Sequence, residues 1–359
     1  MERKFYDVNS TLRNHIRVIL LCICLILPQT GCANVSAGGD EKISVGVVVY
    51  SFDDTFMEEV RSAIKNTADK ENVRVEIWDS QGSQNKQNEQ IDQFIKQGVD
   101  VLAINPVDRT AAGVIIEKAK QENIPIVFFN REPIAQDLQK WDKLYYVGAQ
   151  ASMSGMIAGQ ILAEYWKEHP EMDKNSDGKM QYVMIKGEPG HQDVELRKKY
   201  SISYIEQQGI QVDKLAEDSA MWDRQKAKER MLAIISTYGD QIEAVIAQND
   251  DMAIGAIEAL KEQGYFTSDR TFVPVVGVNA TLSAIQAIKE GVLLGTSYND
   301  AQRQGQATLL LAKELAEGKN PQESGFEKET GFSIDQGHYI WVRYIKITSE
   351  NTNDALRNR

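Results

Sequence analysis

The chain has 359 residues, of which 42% are hydrophobic and 26% charged, and a net charge of −12 at pH 7. That length exceeds one ordinary core and points to about two domains of a soluble, globular type. An acidic balance of this size argues against nucleic-acid binding.

The first 31 residues depart from that composition. Arg3, Lys4, Arg13 and Arg17 precede an apolar run over 18–27, and Gly31-Cys32 follows. This is the pattern of a secretory signal peptide over 1–31 that ends at a lipid-modified Cys32, with a simple uncleaved anchor as the rival reading. The ten-residue apolar run falls short of the roughly 20 residues that a membrane-crossing helix needs. Gln29 stands where a lipobox carries Leu, so the cleavage site is imperfect. The Leu27-Pro28-Gln29-Thr30-Gly31 segment spells a wall-anchoring motif, but at the wrong end of the chain for that chemistry. The three cysteines are Cys22, Cys24 and Cys32, so a processed domain holds no thiol for disulfide or zinc chemistry. The leader carries four basic and two acidic residues, and its removal takes the net charge from −12 to −14. Residues 32–42 are small and polar and read as a lipidated linker to a body held outside the membrane.

A βα alternation begins at Ile43. Strands are expected at 43–50, 73–80, 99–105 and 124–130, with helices at 54–71, 86–97 and 110–121 between them. The strands are continuous apolar runs, as parallel strands buried on both faces should be. A second series starts at Ser152, with strands at 182–186, near 212–215, 244–248 and 273–278. Helices at 193–207, 224–237, 252–263 and 281–290 separate them. Right-handed crossovers then give an α/β protein of two doubly wound, Rossmann-like lobes.

Ahead of the first strand of the second series lies Asp173-Lys-Asn-Ser-Asp-Gly-Lys-Met-Gln181. Oxygen side chains stand at positions 1, 3, 5 and 9 of this loop and glycine at 6, the order of an EF-hand calcium loop. The twelfth position is Met184, and a strand follows in place of an exit helix, so the closing carboxylate must come from elsewhere. A solvated Asp/Asn turn without metal is the alternative.

Open α/β sheets place ligands beyond the carboxyl ends of their strands. The residues at those ends are Asp53, Asp54 and Phe56; Asn130 and Arg131; His191, Asp193 and Arg197; Trp222 and Asp223; Asn249 and Asp250; Asn279; and Asn299 with Asp300. A single Asp or Asn there reads first as a helix cap. A convergent set with Phe56 and Trp222 interleaved reads as a sugar cleft: amides and carboxylates pair with vicinal hydroxyls, Arg197 offers a planar fork, and the rings cover the C–H faces of a pyranose. Asp54 and Asp193 as a glycosidase pair are the catalytic rival, but the many amides shuttle no protons. The chain also lacks Gly-x-Ser-x-Gly, His-Glu-x-x-His and phosphate-loop motifs, so binding without turnover is favoured. A sugar-responsive repressor would need an N-terminal helix-turn-helix where the leader stands.

The motifs Tyr50-Ser-Phe-Asp-Asp-Thr-Phe-Met57, Val127-Phe-Phe-Asn-Arg-Glu-Pro133, Lys186-Gly-Glu-Pro-Gly-His191, Ala220-Met-Trp-Asp223, Asn249-Asp250 and Asn299-Asp-Ala301 resemble those of the bacterial galactose/glucose-binding proteins, receptors of sugar ABC transporters. The resemblance covers about 43–347. It implies the type I periplasmic-binding-protein fold, with lobes joined by three hinge strands. It also implies sugar contacts from Asp54, Asn130, His191, Asp193, Arg197, Asn249 and Asn299, with Phe56 and Trp222 stacking on either face. Asp54 would serve either epimer at the fourth carbon. The implied calcium ligands are Asp173, Asn175, Asp177, the Lys179 carbonyl, Gln181 and, from a distance, Glu243. Asn279 departs from the family's Asp, which predicts weaker binding or a shifted sugar preference. Implied partners are a monosaccharide, an ABC permease that recognises closed lobes and, in some relatives, a chemoreceptor or sensor kinase; the protein is expected to be a monomer and not an enzyme. The first lobe is expected over 43–149 and 299–333 and the second over 150–298 and 334–348, with crossings near Ala149, Asn299 and Ser333. Residues 349–359 are expected to be a disordered polar tail.

Overall fold

The computed structural model describes residues 42–267 and 272–357. The expected signal segment, Cys32 and the linker up to residue 41 lie outside the described residues. No helix among the described residues is long and apolar enough to cross a membrane.

The first sheet holds β1 (Ser44–Val49), β2 (Arg74–Asp79), β3 (Val101–Ile104), β4 (Ile126–Phe129), β5 (Leu144–Gly148) and β11 (Tyr339–Trp341), in the order β11-β5-β4-β3-β1-β2. All its pairings are parallel. The second holds β6 (Lys179–Lys186), β7 (Gln211–Ser219), β8 (Ala244–Ala247), β9 (Val275–Asn279), β10 (Gly295–Tyr298) and β12 (Ile345–Ile347), in the order β12-β10-β9-β8-β6-β7, with β12 antiparallel.

Helices cover both faces of each sheet, which is why the central strands β3, β4 and β8 are apolar throughout. On the first, α1 (Thr55–Glu71) and α10 (Ala301–Ala316) bury Met57, Val60, Ile64 and Leu311 against Val47, Ala103 and Val127. α2 (Gln84–Gln97) and α3 (Ala112–Gln121) fill the other side with Ile91, Phe94 and Ile115; the short α4 (Ala135–Leu138) follows β4. On the second sheet, α7 (Arg224–Tyr238), α8 (Asp250–Glu262) and α9 (Leu282–Lys289) pack one face and α5 (Ala151–Glu168) and α6 (Gln192–Gln207) the other. A short α11 (Phe326–Thr330) seats Phe326 in the first core.

The chain leaves the first sheet after Gly148, returns after Tyr298 and crosses again between Trp341 and Ile345. The third passage is therefore not at Ser333, and residues 339–341 belong to the first lobe. The backbone decides this: Tyr146 N–H donates to His338 O at 2.8 Å and Val342 N–H to Gly148 O at 2.7 Å, while Tyr339 and Trp341 pack on the Tyr146 ring. The tail also differs from expectation. Residues Thr352–Arg357 form α12, and Ala355 is fully buried in the second core. A single small apolar residue can dock a helix turn without giving the sequence an apolar stripe. β7 runs four residues beyond the expected strand because an edge strand needs no continuous apolar run to pair.

Two features fix the second lobe where its functional side chains sit. α6 lies so close to α5 that a Cβ on Gly159 would fall 2.4 Å from Ser201 O, and one on Gly155 2.8 Å from Arg197 O. Asp250, fully buried at the start of α8, accepts from Thr281 N–H and from the Thr296 hydroxyl, both at 2.7 Å, and so ties α8 to the β9–α9 turn and to β10. Burial pushes its carboxyl up to about 7 against those two hydrogen bonds, and Asp251 adds to the rise.

Gly159→Ala is expected to destabilise the protein by about 1–3 kcal/mol, read as a lowered urea midpoint, because the obstructing atom is backbone and cannot rotate away. For Asp250 the folded value lies above the ordinary 3.8, so its contribution to stability is complete below that pH and is lost as the pH rises through about 7. Urea midpoints measured from pH 4 to 8 should therefore fall across this window, and Asp250→Asn should remove that part of the slope.

Candidate functional site

The carboxyl ends of both sheets face one tight cavity of about 40 Å³. Asp54, Phe56, Asn130, His191, Asp193, Arg197, Trp222, Asn249, Asn279 and Asn299 all line it. Tyr50 and Arg131 complete the wall. Neither was singled out as a ligand contact from the sequence, although Arg131 is a charge at a strand end.

The capping and ligand readings of the strand-end residues coexist. Asp54 caps α1, its Oδ1 accepting from Met57 N–H at 2.9 Å, while Oδ2 accepts from the Tyr50 hydroxyl at 2.6 Å. Asn249 caps α8 through Oδ1 and donates from Nδ2 to Trp222 O at 3.1 Å. Each oxygen keeps a lone pair, and each amide a second N–H, for a ligand. Asn130 Oδ1 accepts from Asn105 Nδ2 at 3.1 Å, which turns its own amide nitrogen outward.

His191 is held as a neutral donor. Its Nδ1 accepts from Asp193 N–H at 3.1 Å, which assigns the proton to Nε2. Burial pushes its pKa well down, and Arg131, Arg197 and Arg109 push the same way. Beside it, Arg197 is buried and four of its five N–H donors are engaged. It donates to Ser154 Oγ at 3.2 Å, Gln248 O at 2.6 Å, Asp193 Oδ2 at 3.1 Å and Tyr344 Oη at 3.2 Å. Tyr344 lies on the third crossing segment, so a hinge residue touches the site directly. Burial raises the Asp193 carboxyl, and Arg197, Arg131 and Arg109 pull it back.

Trp222 rests on Gly187, where any Cβ would meet its ring at 2.2 Å, and meets the His191 ring edge-on at 5.3 Å. Trp222 Nε1 and Asn299 Oδ1 are buried with no protein partner. A buried donor and a buried acceptor without partners, facing one cavity, are the groups a hydroxylated ligand would satisfy. Backbone strain gathers here as well: Asn130, Trp222 and Asn279 have φ of 60°, 65° and 112°, a region that non-glycine residues enter at a cost of about 1–3 kcal/mol.

Away from the cavity, the 173–181 loop is folded around its own oxygens. Asp173 accepts from Asp177 N–H and Gly178 N–H, and Asp177 accepts from Lys179 N–H, Asn175 Nδ2 and Gln181 Nε2. Glu243, just before β8, accepts from Lys174 N–H at 2.7 Å and Gln181 N–H at 2.9 Å. The structure thus brings the far carboxylate to the loop. Among the described residues no three His, Cys, Asp or Glu side chains converge as a metal group. The donor set of two loop carboxylates, two amides, a carbonyl and Glu243 nevertheless suits a hard cation, which takes oxygen ligands only. Gln181 Oε1 is buried without a partner, and half-turns of the Asn175 and Gln181 amides would present oxygens in place of the donors now facing Asp177. Burial and the charge of Asp173 raise Glu243, a repulsion that a cation would relieve.

With this geometry in place, comparison with known proteins places the chain. Residues 45–320 match the model of the periplasmic binding protein domain. The D-galactose/methyl-galactoside binding periplasmic protein of Haemophilus influenzae is 40% identical over 329 residues, covering 91% of this chain and 95% of that one. The xylitol-binding protein of Mycolicibacterium smegmatis is 30% identical, over 82% of this chain and 78% of that one. A solved ABC transporter solute-binding protein of Bacillus halodurans with bound myo-inositol superposes with a TM-score of 0.74 at 26% identity, over 89% of this chain and all of that one. The two α/β lobes are the type I fold of these proteins, and the chain belongs to the periplasmic binding protein domain family.

Proposed function

We propose that this protein is an extracytoplasmic receptor that binds one monosaccharide, galactose or glucose, between its lobes and delivers it unaltered to an ABC transporter permease. The observation that carries this is the pair of unpartnered buried groups, Trp222 Nε1 and Asn299 Oδ1, in a wall of amides, carboxylates and the rings of Tyr50, Phe56 and Trp222. Such a wall matches a polyol with an apolar face. Hydrogen bonds involving a charged group contribute on the order of 1.5–3 kcal/mol each; a few of them with ring stacking give about 8–12 kcal/mol, micromolar to nanomolar binding. The same wall disfavours turnover. Asp193 is tied to Arg197, Asp54 to Tyr50 and Met57 N–H, and His191 is buried neutral. A sugar touching both lobes would favour the closed form, the form a permease would read. The names of the Haemophilus influenzae and Bacillus halodurans proteins support a sugar or polyol as ligand.

Calcium in the 173–181 loop with Glu243 would supply rigidity to the second lobe and no chemistry. The basic and apolar leader before Gly31-Cys32 supports attachment through a lipid on Cys32.

Calorimetry of the chain against a panel of monosaccharides is expected to show micromolar or tighter binding of galactose, glucose or both, with the sugar recovered unchanged. Indifference to every monosaccharide, or conversion of one, would refute the reading. Asn279→Asp restores a charged acceptor in the cavity and should tighten binding by about 1–2 kcal/mol; an unchanged affinity would remove Asn279 from the ligand set. A calcium chelator should lower the melting temperature measured by calorimetry, and Asp173→Ala should abolish that sensitivity.

A further inference from the structure

The lobes touch each other across the cleft. Arg131 of the first lobe is 4% exposed. It donates from Nη1 to Val107 O at 3.0 Å and from Nη2 to Glu188 Oε2 of the second lobe at 2.9 Å. Its guanidinium also sits over the Tyr50 ring, 3.6 Å from the centroid, and the Tyr50 hydroxyl donates to Asp54 at 2.6 Å. A continuous line of contacts, Glu188–Arg131–Tyr50–Asp54, therefore runs from one lobe to a cavity carboxylate of the other. A second bond, Gln192 Nε2 to Glu132 Oε2 at 3.0 Å, lies beside it.

A buried guanidinium needs a countercharge, and its ion-pair partner Glu188 comes only from the opposite lobe. Parting the lobes takes that partner away. In the closed form Glu188 keeps the guanidinium over the ring, and the ring keeps its hydroxyl on Asp54. Burial and Asp54 push the Tyr50 hydroxyl well above its ordinary value, so it stays a donor. Asp54 then has one oxygen fixed by Met57 N–H and the other by Tyr50, and only its remaining lone pairs are left for a ligand in the cavity it lines.

We propose that Arg131 is a positioning residue that couples closure of the lobes to the shape of the Asp54 subsite, so that Glu188, which does not line the cavity, sets how long a sugar is held. This rests on the sugar reading above and extends it from which groups bind to what retains the ligand. A solvated ion pair would contribute almost nothing; this one has its cation buried and stacked, which places its effect on dissociation rather than on encounter.

The test is stopped-flow tryptophan fluorescence of galactose and glucose binding and release by the full chain, at low and high salt. Glu188→Gln is expected to speed release roughly tenfold while association changes less than about twofold. High salt should change wild-type release less than about twofold, because the buried guanidinium is little screened. Tyr50→Phe keeps the ring and removes the hydroxyl. It should weaken binding by itself, and in the double variant the effect of Glu188→Gln should shrink to less than about twofold. Unchanged release in Glu188→Gln, or losses that multiply independently in the double variant, would overturn the coupling and leave the sugar reading intact. A wild-type chain that binds no monosaccharide would overturn the sugar reading and the proposal with it.

Discussion

A strand with a helix layer on each face can offer a polar side chain to a ligand only where it ends. Every functional feature of this protein follows from that constraint. Val47, Val127, Val183 and Val245 are fully buried, and an unpaired polar group at such a position would cost several kcal/mol. Polar residues therefore collect at the carboxyl ends of β1, β4, β6, β8, β9 and β10. Two sheets with those ends opposed generate a cavity walled by amides and carboxylates while their interiors stay apolar. Proteins of this design need no special loop to carry the site, because the turns that start the helices already supply it.

Those turns are not relaxed. Asn130, Trp222 and Asn279 adopt positive φ, and the cost is borne by packing that leaves no alternative. Asn130 is held by Asn105 and by the Tyr146 hydroxyl on its carbonyl at 2.8 Å. Trp222 is pressed against Gly187. The Asn279 turn is held through Ala280 N–H on Thr296 and Thr281 N–H on Asp250. Strain kept at three strand ends around one cavity is a physical sign of preorganisation: these groups lose little further freedom when a ligand arrives.

Much of this was legible in the chain. Apolar runs bounded by Asp, Asn and Gly gave eight strands and missed β5, β10, β11 and β12, and the strand-end rule assembled eleven lining residues that the fold brings into one cavity. The spacing of oxygen side chains marked the 173–181 loop, and Glu243 does reach it. Other parts left no local trace. β11 is three residues long, and its place in the first sheet is decided by hydrogen bonds to β5, nearly 200 residues earlier in sequence. α12 docks through Ala355, which no periodicity distinguishes. Tyr50 and Arg131 matter through a stack and an ion pair with residues far from them in the chain, so neither could be valued before the lobes were placed together.

The choice between a helix cap and a ligand contact, which a sequence reader must make at each strand end, dissolves in three dimensions. An N-cap oxygen is fixed by the backbone N–H it accepts, and fixing it is what lets the same residue discriminate among hydroxyls. Asp54 shows the principle twice over, with Met57 N–H on one oxygen and Tyr50 on the other. Asn249 shows it again with Met252 N–H and Trp222 O. A free surface carboxylate would sample many directions and bind any hydroxyl weakly. One whose lone pairs are already partly assigned presents the remainder along set lines, and the selectivity of a closed cavity comes from how few such lines are left.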